Sequence, residues 1–169
     1  MRKLVNIAHS RSYWLATLLL GLGMIMAALY YQYELDQQPC VMCIQVRLLF
    51  SLLIIAAFNG LLLRKNRFLN LLVHLSVVAI TIGLVERSYQ LLGTERGFVF
   101  GDCGFDLGLP SWLALDTWLP WLYRVETSCG YTPEIIFGIT MAEMLIVISA
   151  LLFCFSLIVT LAAFFRPDS

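Results

Sequence analysis

Four long apolar runs limit what this chain can fold into more than any other feature of it. They cover about residues 13–33, 43–63, 68–86 and 138–165, and a helix needs roughly 20 such residues to cross the hydrocarbon of a bilayer. Inside hydrocarbon every backbone N–H and C=O must be satisfied within the segment, so the runs predict helices. The chain as a whole is 60% hydrophobic and only 13% charged, where a soluble domain is about 25% charged. The first run follows Arg2, Lys3 and Arg11 but is no signal peptide. It exceeds the 7–15 apolar residues of a signal core, has no small-x-small cleavage site before Glu34, and ends in Tyr30, Tyr31 and Tyr33, which read as an interfacial belt. The fold class expected is an all-α membrane protein, one domain over residues 1–169 forming a four-transmembrane-helix bundle. Net charge is zero and no basic stripe exists, which argues against nucleic-acid binding.

Orientation follows from where the cations sit. Arg2, Lys3 and Arg11 precede the first run, Arg64, Lys65 and Arg67 separate the second from the third, and Arg166 follows the fourth. The two other loops, about residues 34–42 and 90–137, are acidic. The positive-inside rule therefore puts both termini in the cytoplasm and those two loops outside, which in a bacterium is the periplasm, with the chain multi-pass in the inner membrane. Four of the five cysteines, Cys40, Cys43, Cys103 and Cys129, then lie on the outer side, where disulfides form and persist. Cys154 falls inside the fourth run and reads as a small packing residue; His74, inside the third, reads as hydrogen-bonded within the bundle.

Cys40 and Cys43 form a C-x-x-C pair behind Pro39, at the point where a polar loop becomes the second apolar run. Proline suits the first turn of a helix, so Cys40 should lie in or just before that turn and Cys43 one turn on. Free N–H groups and the positive end of the helix dipole favour a thiolate there, the form that attacks disulfides. Arg47 stands four residues beyond Cys43 on the same helical face. Its charge cannot be discharged, so it needs an anion, a polar ligand or a route to the interface. A C-x-x-C bridge closes too short a loop to serve as an effective staple. A four-cysteine zinc site is disfavoured because Cys103 and Cys129 lack a second close pair. Between those two cysteines runs Leu109 to Tyr123, with Trp112, Trp118 and Trp121 among leucines, which predicts a short interfacial helix in the second periplasmic loop. Such a segment would tether the loop cysteines near the level of the helix pair, with the three tryptophans as its anchors.

These residues together resemble the DsbB family of inner-membrane thiol:quinone oxidoreductases. The resemblance rests on Pro39-Cys40-x-x-Cys43-x-x-x-Arg47, the Cys103 and Cys129 loop, Leu113-Ala114-Leu115-Asp116-x-Trp118-Leu119-Pro120, and Gly138-Ile139-Thr140-Met141-Ala142-Glu143. It implies that a DsbA-like periplasmic thioredoxin-fold oxidase is reoxidised by the loop disulfide, which the C-x-x-C pair reoxidises in turn while reducing ubiquinone or menaquinone in the membrane. Cys40, Cys43, Cys103 and Cys129 would be the catalytic residues and Arg47 the quinone contact, with no metal. Cys103 is the expected point of attack by the partner, Cys43 the cysteine that faces the quinone, and Cys40 with Cys103 the expected transient bridge. Members carry a polar residue, often histidine, beside the quinone at the outer end of the third helix. No histidine stands there in this chain, where Arg87, Gln90 and Arg96 occupy the region. The other readings are a paralogue serving a dedicated DsbA-like partner and a non-catalytic, disulfide-stapled membrane scaffold.

Overall fold

The computed structural model describes residues 10–99, 107–108, 114–128, 134–136 and 138–164. Cys103, Trp112 and Cys129 lie outside the described residues. Among the described residues four helices are long and apolar enough to cross a membrane: α1 (Arg11–Tyr33), α2 (Val41–Leu63), α3 (Arg67–Glu95) and α6 (Met141–Phe164). Two one-turn helices, α4 (Leu115–Trp118) and α5 (Pro120–Tyr123), lie between α3 and α6, as does a minimal antiparallel pair, β1 (Glu134–Ile136) with β2 (Ile139–Thr140). The protein is an all-α membrane bundle in which α1, α2, α3 and α6 pack in that order. Tyr13 on α1 meets Phe155 on α6 with ring centroids 5.9 Å apart.

Side chains and small motifs set the ends of the helices. Ser10 caps α1 by accepting from the Ser12 amide at 3.2 Å. Asn66 caps α3, its Oδ1 accepting from the Phe68 and Leu69 amides. At the start of α6, Thr140 and Glu143 form a reciprocal capping box: the Thr140 amide donates to Glu143 Oε2 (3.1 Å) and the Glu143 amide to Thr140 Oγ1 (3.4 Å). Arg96, just past α3, forms an ion pair with Glu143, and Thr140 Oγ1 donates to Glu95 Oε2 at 3.2 Å, so the base of the segment between α3 and α6 is clasped. Gly97 ends α3 at φ +76°, a backbone conformation that only glycine adopts without strain.

The long helices are apolar on nearly every face, and buried residues rather than hydrophobic ones pick out the inward face. On α3 the buried positions as far as Leu91 are Asn70, His74, Val77, Thr81, Leu84, Ser88 and Leu91, alternating steps of four and three, with Gly93 buried beyond them. That is the heptad spacing of a helix packed along one seam. Thr81 meets Ser156 at 3.1 Å and Ser88 meets Ser149 at 3.0 Å. The pairs advance seven residues along α3 while retreating seven along α6, so these helices run antiparallel. At the end of the bundle away from the C-x-x-C pair, Trp14 and His74 are fully buried with ring centroids 4.7 Å apart. A Cβ at Gly60 would lie 2.4 Å from the Trp14 ring, so glycine there lets α1 and α2 approach.

Two details differ from the sequence reading. The third helix does not end with its apolar run near residue 86 but continues through Glu86, Arg87 and Gln90 to Glu95. Arg87 Nη1 donates to Gln90 Oε1 (3.0 Å) and Gln90 Nε2 to Glu86 Oε1 (3.2 Å), so these polar groups satisfy one another along the helix at i+3 and i+4 spacing. Cys154 is exposed on the outside of the bundle rather than packed within it. The buried face of α6 passes through Ser149, Ser156 and Val159, leaving position 154 on the other side.

Candidate functional site

The site is built at the first turn of α2. Cys40 is the residue before the helix, in extended backbone (φ −81°, ψ 170°), and its sulfur accepts a hydrogen bond from the Cys43 amide at 3.4 Å. A sulfur thus does what a serine or aspartate oxygen does at other N-caps. The Sγ atoms of Cys40 and Cys43 are 2.8 Å apart. Cys40 is buried and Cys43 half-buried, so the second cysteine is the more accessible of the two.

Arg47, one turn further on, is only 6% exposed. Its Nη1 donates to Gln32 Oε1 (2.6 Å) and to the Leu122 carbonyl (3.3 Å), and its Nη2 to the Ala28 carbonyl (3.1 Å). Three neutral oxygens thus replace the water a guanidinium loses on burial, which makes the site costly to leave half-built. Gln32 is a site residue that sequence reasoning missed, hidden among the tyrosines of an apparent interfacial belt. The signal that could have found it is an amide near the end of α1 facing a cation near the start of α2, across a short connection.

Cys43 and Arg47 both line one cleft among the long helices. Among the described residues its walls come from all four long helices: Met24, Ala28 and Tyr31 of α1, Val46 and Phe50 of α2, Leu91 of α3, and Met141 and Leu145 of α6. Gln37, Gln38 and Pro39 close its polar end. Arg87, Gln90 and Arg96 are not among the described lining residues; the contribution from α3 is Leu91. The arrangement is an apolar slot with a thiol and a buried cation on one wall.

The segment between α3 and α6 is bonded to both α1 and α2. Gln45 Nε2 donates to the Leu107 carbonyl (3.3 Å), Tyr33 Oη to the Trp121 carbonyl (2.8 Å), and Tyr123 Oη to Ser51 Oγ (2.7 Å). Beyond α5 the amides of Glu126 (3.0 Å) and Thr127 (3.3 Å) both donate to the Pro39 carbonyl, and Thr127 forms a parallel bridge with Cys40. Leu122 and Tyr123 are 9% and 5% exposed and pack on Ile44 in a small cluster of their own. Trp118 and Trp121 are 63% and 53% exposed. Leu122 and Tyr123 therefore anchor this segment to α2, while the described tryptophans are exposed.

Comparison with known proteins agrees with this arrangement. The family model "Disulfide bond formation protein DsbB" matches residues 10–159. Disulfide bond formation protein B of Shewanella frigidimarina is 32% identical over 144 residues, covering 85% of each chain. Disulfide bond formation protein B 2 of Pseudomonas aeruginosa is 31% identical over 164 residues, 96% of this chain and 95% of the relative. With its helical bundle, C-x-x-C helix cap and buried arginine, this chain belongs to the DsbB family of disulfide bond formation proteins.

Proposed function

We propose that this oxidoreductase of disulfide formation passes electrons from a DsbA-like periplasmic dithiol through the Cys103–Cys129 pair and then the Cys40–Cys43 pair to a membrane quinone. Supporting the reading above all is that Cys43 and Arg47 share one apolar cleft while Cys40, a turn away, is paired through its backbone with the outer loop. The quinone, ubiquinone or menaquinone, would supply a two-electron, two-proton acceptor. Apolar walls suit its ring and tail, the Arg47 guanidinium suits one ring oxygen, and Cys43 suits the approach of a thiol.

The chemistry is two disulfide exchanges and one oxidation. A partner thiolate attacks a sulfur of the loop disulfide, and the resulting mixed disulfide resolves, so that the partner leaves oxidised and the loop holds a dithiol. That dithiol reduces the Cys40–Cys43 disulfide in the same manner, one S–S bond forming for each that breaks. Oxidation of Cys40 and Cys43 back to the disulfide releases two electrons and two protons, which pass to the quinone. Glu126 and Thr127 bond to the Pro39 carbonyl, and Thr127 stands two positions before Cys129 in the chain. This favours Cys129 over Cys103 as the loop sulfur that exchanges with Cys40, and leaves Cys103 to meet the partner. Both termini would be cytoplasmic, the redox cysteines periplasmic and the membrane the bacterial inner one.

The test is to mix purified protein with a reduced thioredoxin-fold oxidase and a quinone analogue and follow the quinone absorbance. The relay predicts stoichiometric quinone reduction that is lost in Cys43→Ser. Quinone that stays oxidised with the wild-type chain would sink the proposal in favour of a stapled scaffold.

A further inference from the structure

We propose that Tyr123 is a positioning residue for the transfer between the two cysteine pairs, holding the loop in a single register on α2; the inference rests on the relay proposed above. Its aromatic ring is buried with Leu122 against Ile44, the residue after Cys43. Its hydroxyl donates to Ser51 Oγ at 2.7 Å, and Ser51 Oγ donates to the Arg47 carbonyl at 2.9 Å. The Arg47 side chain donates in turn to the carbonyl of Leu122, the neighbour of Tyr123. Two consecutive loop residues and one turn of α2 are thereby closed into a ring of hydrogen bonds that passes through the buried cation.

That ring does something a purely apolar anchor cannot. A phenylalanine side chain could rest on Ile44 over a range of offsets along the helix, because apolar contact is not directional. A phenol aimed at one serine, beside a carbonyl aimed at one guanidinium, accepts a single offset, since a shift by one turn of about 5.4 Å breaks both bonds. Register matters here because the chain leaving α5 goes directly to the Pro39 carbonyl and the bridge at Cys40. The exposed indoles of Trp118 and Trp121 leave the segment's position on α2 unset.

The experiment uses the full-length chain with Tyr123→Phe, Ser51→Ala and the double variant, each measured in three ways. Amide hydrogen exchange over residues 124–128 reads how often the loop undocks. Quinone reduction driven by a reduced thioredoxin-fold partner reads the whole relay. Quinone reduction driven by dithiothreitol, in a Cys103→Ser/Cys129→Ser background, reads the helix pair alone. Loss of one hydrogen bond should speed exchange at Glu126 and Thr127 about fivefold in either single variant, with no further gain in the double variant. Partner-driven turnover should fall severalfold while the dithiothreitol-driven rate holds. Partner-driven turnover at the wild-type rate in Tyr123→Phe, or an equal fall in both rates, would overturn the positioning role alone. A wild-type chain that passes no electrons from partner to quinone would overturn the relay and this role together.

Discussion

Between α3 and α6 the buried polar atoms meet as hydroxyl pairs, whereas between α1 and α2 they converge on one guanidinium. Ser88 commits its proton to the Leu84 carbonyl at 2.6 Å, so Ser149 is the donor in the bond between them. Thr81 and Ser156 likewise each have a carbonyl of their own helix within reach. Three of these four hydroxyls thus have a carbonyl of their own helix, and joining them across the seam adds only a little. Arg47 has no such recourse. It draws on Gln32 and Ala28 from α1 and Leu122 from the loop, and without them it would be a buried unpaired cation. The seam of hydroxyls is a clasp, while the cation is a junction at which helix pair, cleft and loop meet.

Substitutions at the two seams should separate these roles. The largest effect belongs to Arg47→Ala, which removes a cation from the cleft wall and strands its oxygen partners. Hydrogen bonds to charged groups are worth about 1.5–3 kcal/mol, so the quinone KM should rise about 10- to 100-fold. Arg47→His should fall close behind and Arg47→Lys should cost least, since lysine keeps the charge and loses the planar fork. Unchanged quinone kinetics in all three would reduce Arg47 to a structural bond to the loop. Next comes Gly60→Ala, at the far end of the same helix pair, whose new methyl collides with Trp14. Overpacking of this kind costs about 1–3 kcal/mol; thermal melting should drop while the quinone KM stays put. A KM that moved with the melt would mean that the far end of the pair reports to the cleft.

The smallest effect belongs to the hydroxyl seam. Interhelical side-chain bonds in membranes average about 0.6 kcal/mol, so the Ser88→Ala/Ser149→Ala double variant should melt almost as the wild type does and reduce quinone at the same rate. A marked loss of turnover there would break the distinction between clasp and junction.

How much of this was legible in the sequence depends on what kind of signal each residue carries. Apolar length is additive along the chain, so the four long helices could be read directly. Pro39 ahead of a cysteine pair is a local helix-start signal, and Cys40 takes the place just before the first turn that it implies. The extension of α3 to Glu95 was not legible because Glu86, Arg87 and Gln90 look like a membrane exit; only in a helix do they fall close enough to bond to one another. The docking of Leu122 and Tyr123 was hidden for a different reason. In a four-residue helix there is no periodicity to say which side is inward, and the tryptophans, larger and more conspicuous, drew the reading to the face that turns outward. Gln32 and the two backbone carbonyls that hold Arg47 are long-range partners, set by how α1, α2 and the loop come together.

The three oxygens around Arg47 also differ in when they are made. Gln32 and Ala28 precede the arginine by 15 and 19 residues, whereas Leu122 follows it by 75. A ribosome adds about 5–20 residues per second, so the loop carbonyl is synthesised roughly 4–15 s after the cation. A hairpin of the first two helices carries its own ligands for the charge, Gln32 and the Ala28 carbonyl, before the loop carbonyl exists. Replacing Gln32 by leucine should therefore lower the yield of membrane-integrated nascent chains that end before Leu122, where the Ala28 carbonyl would be the remaining partner of the three.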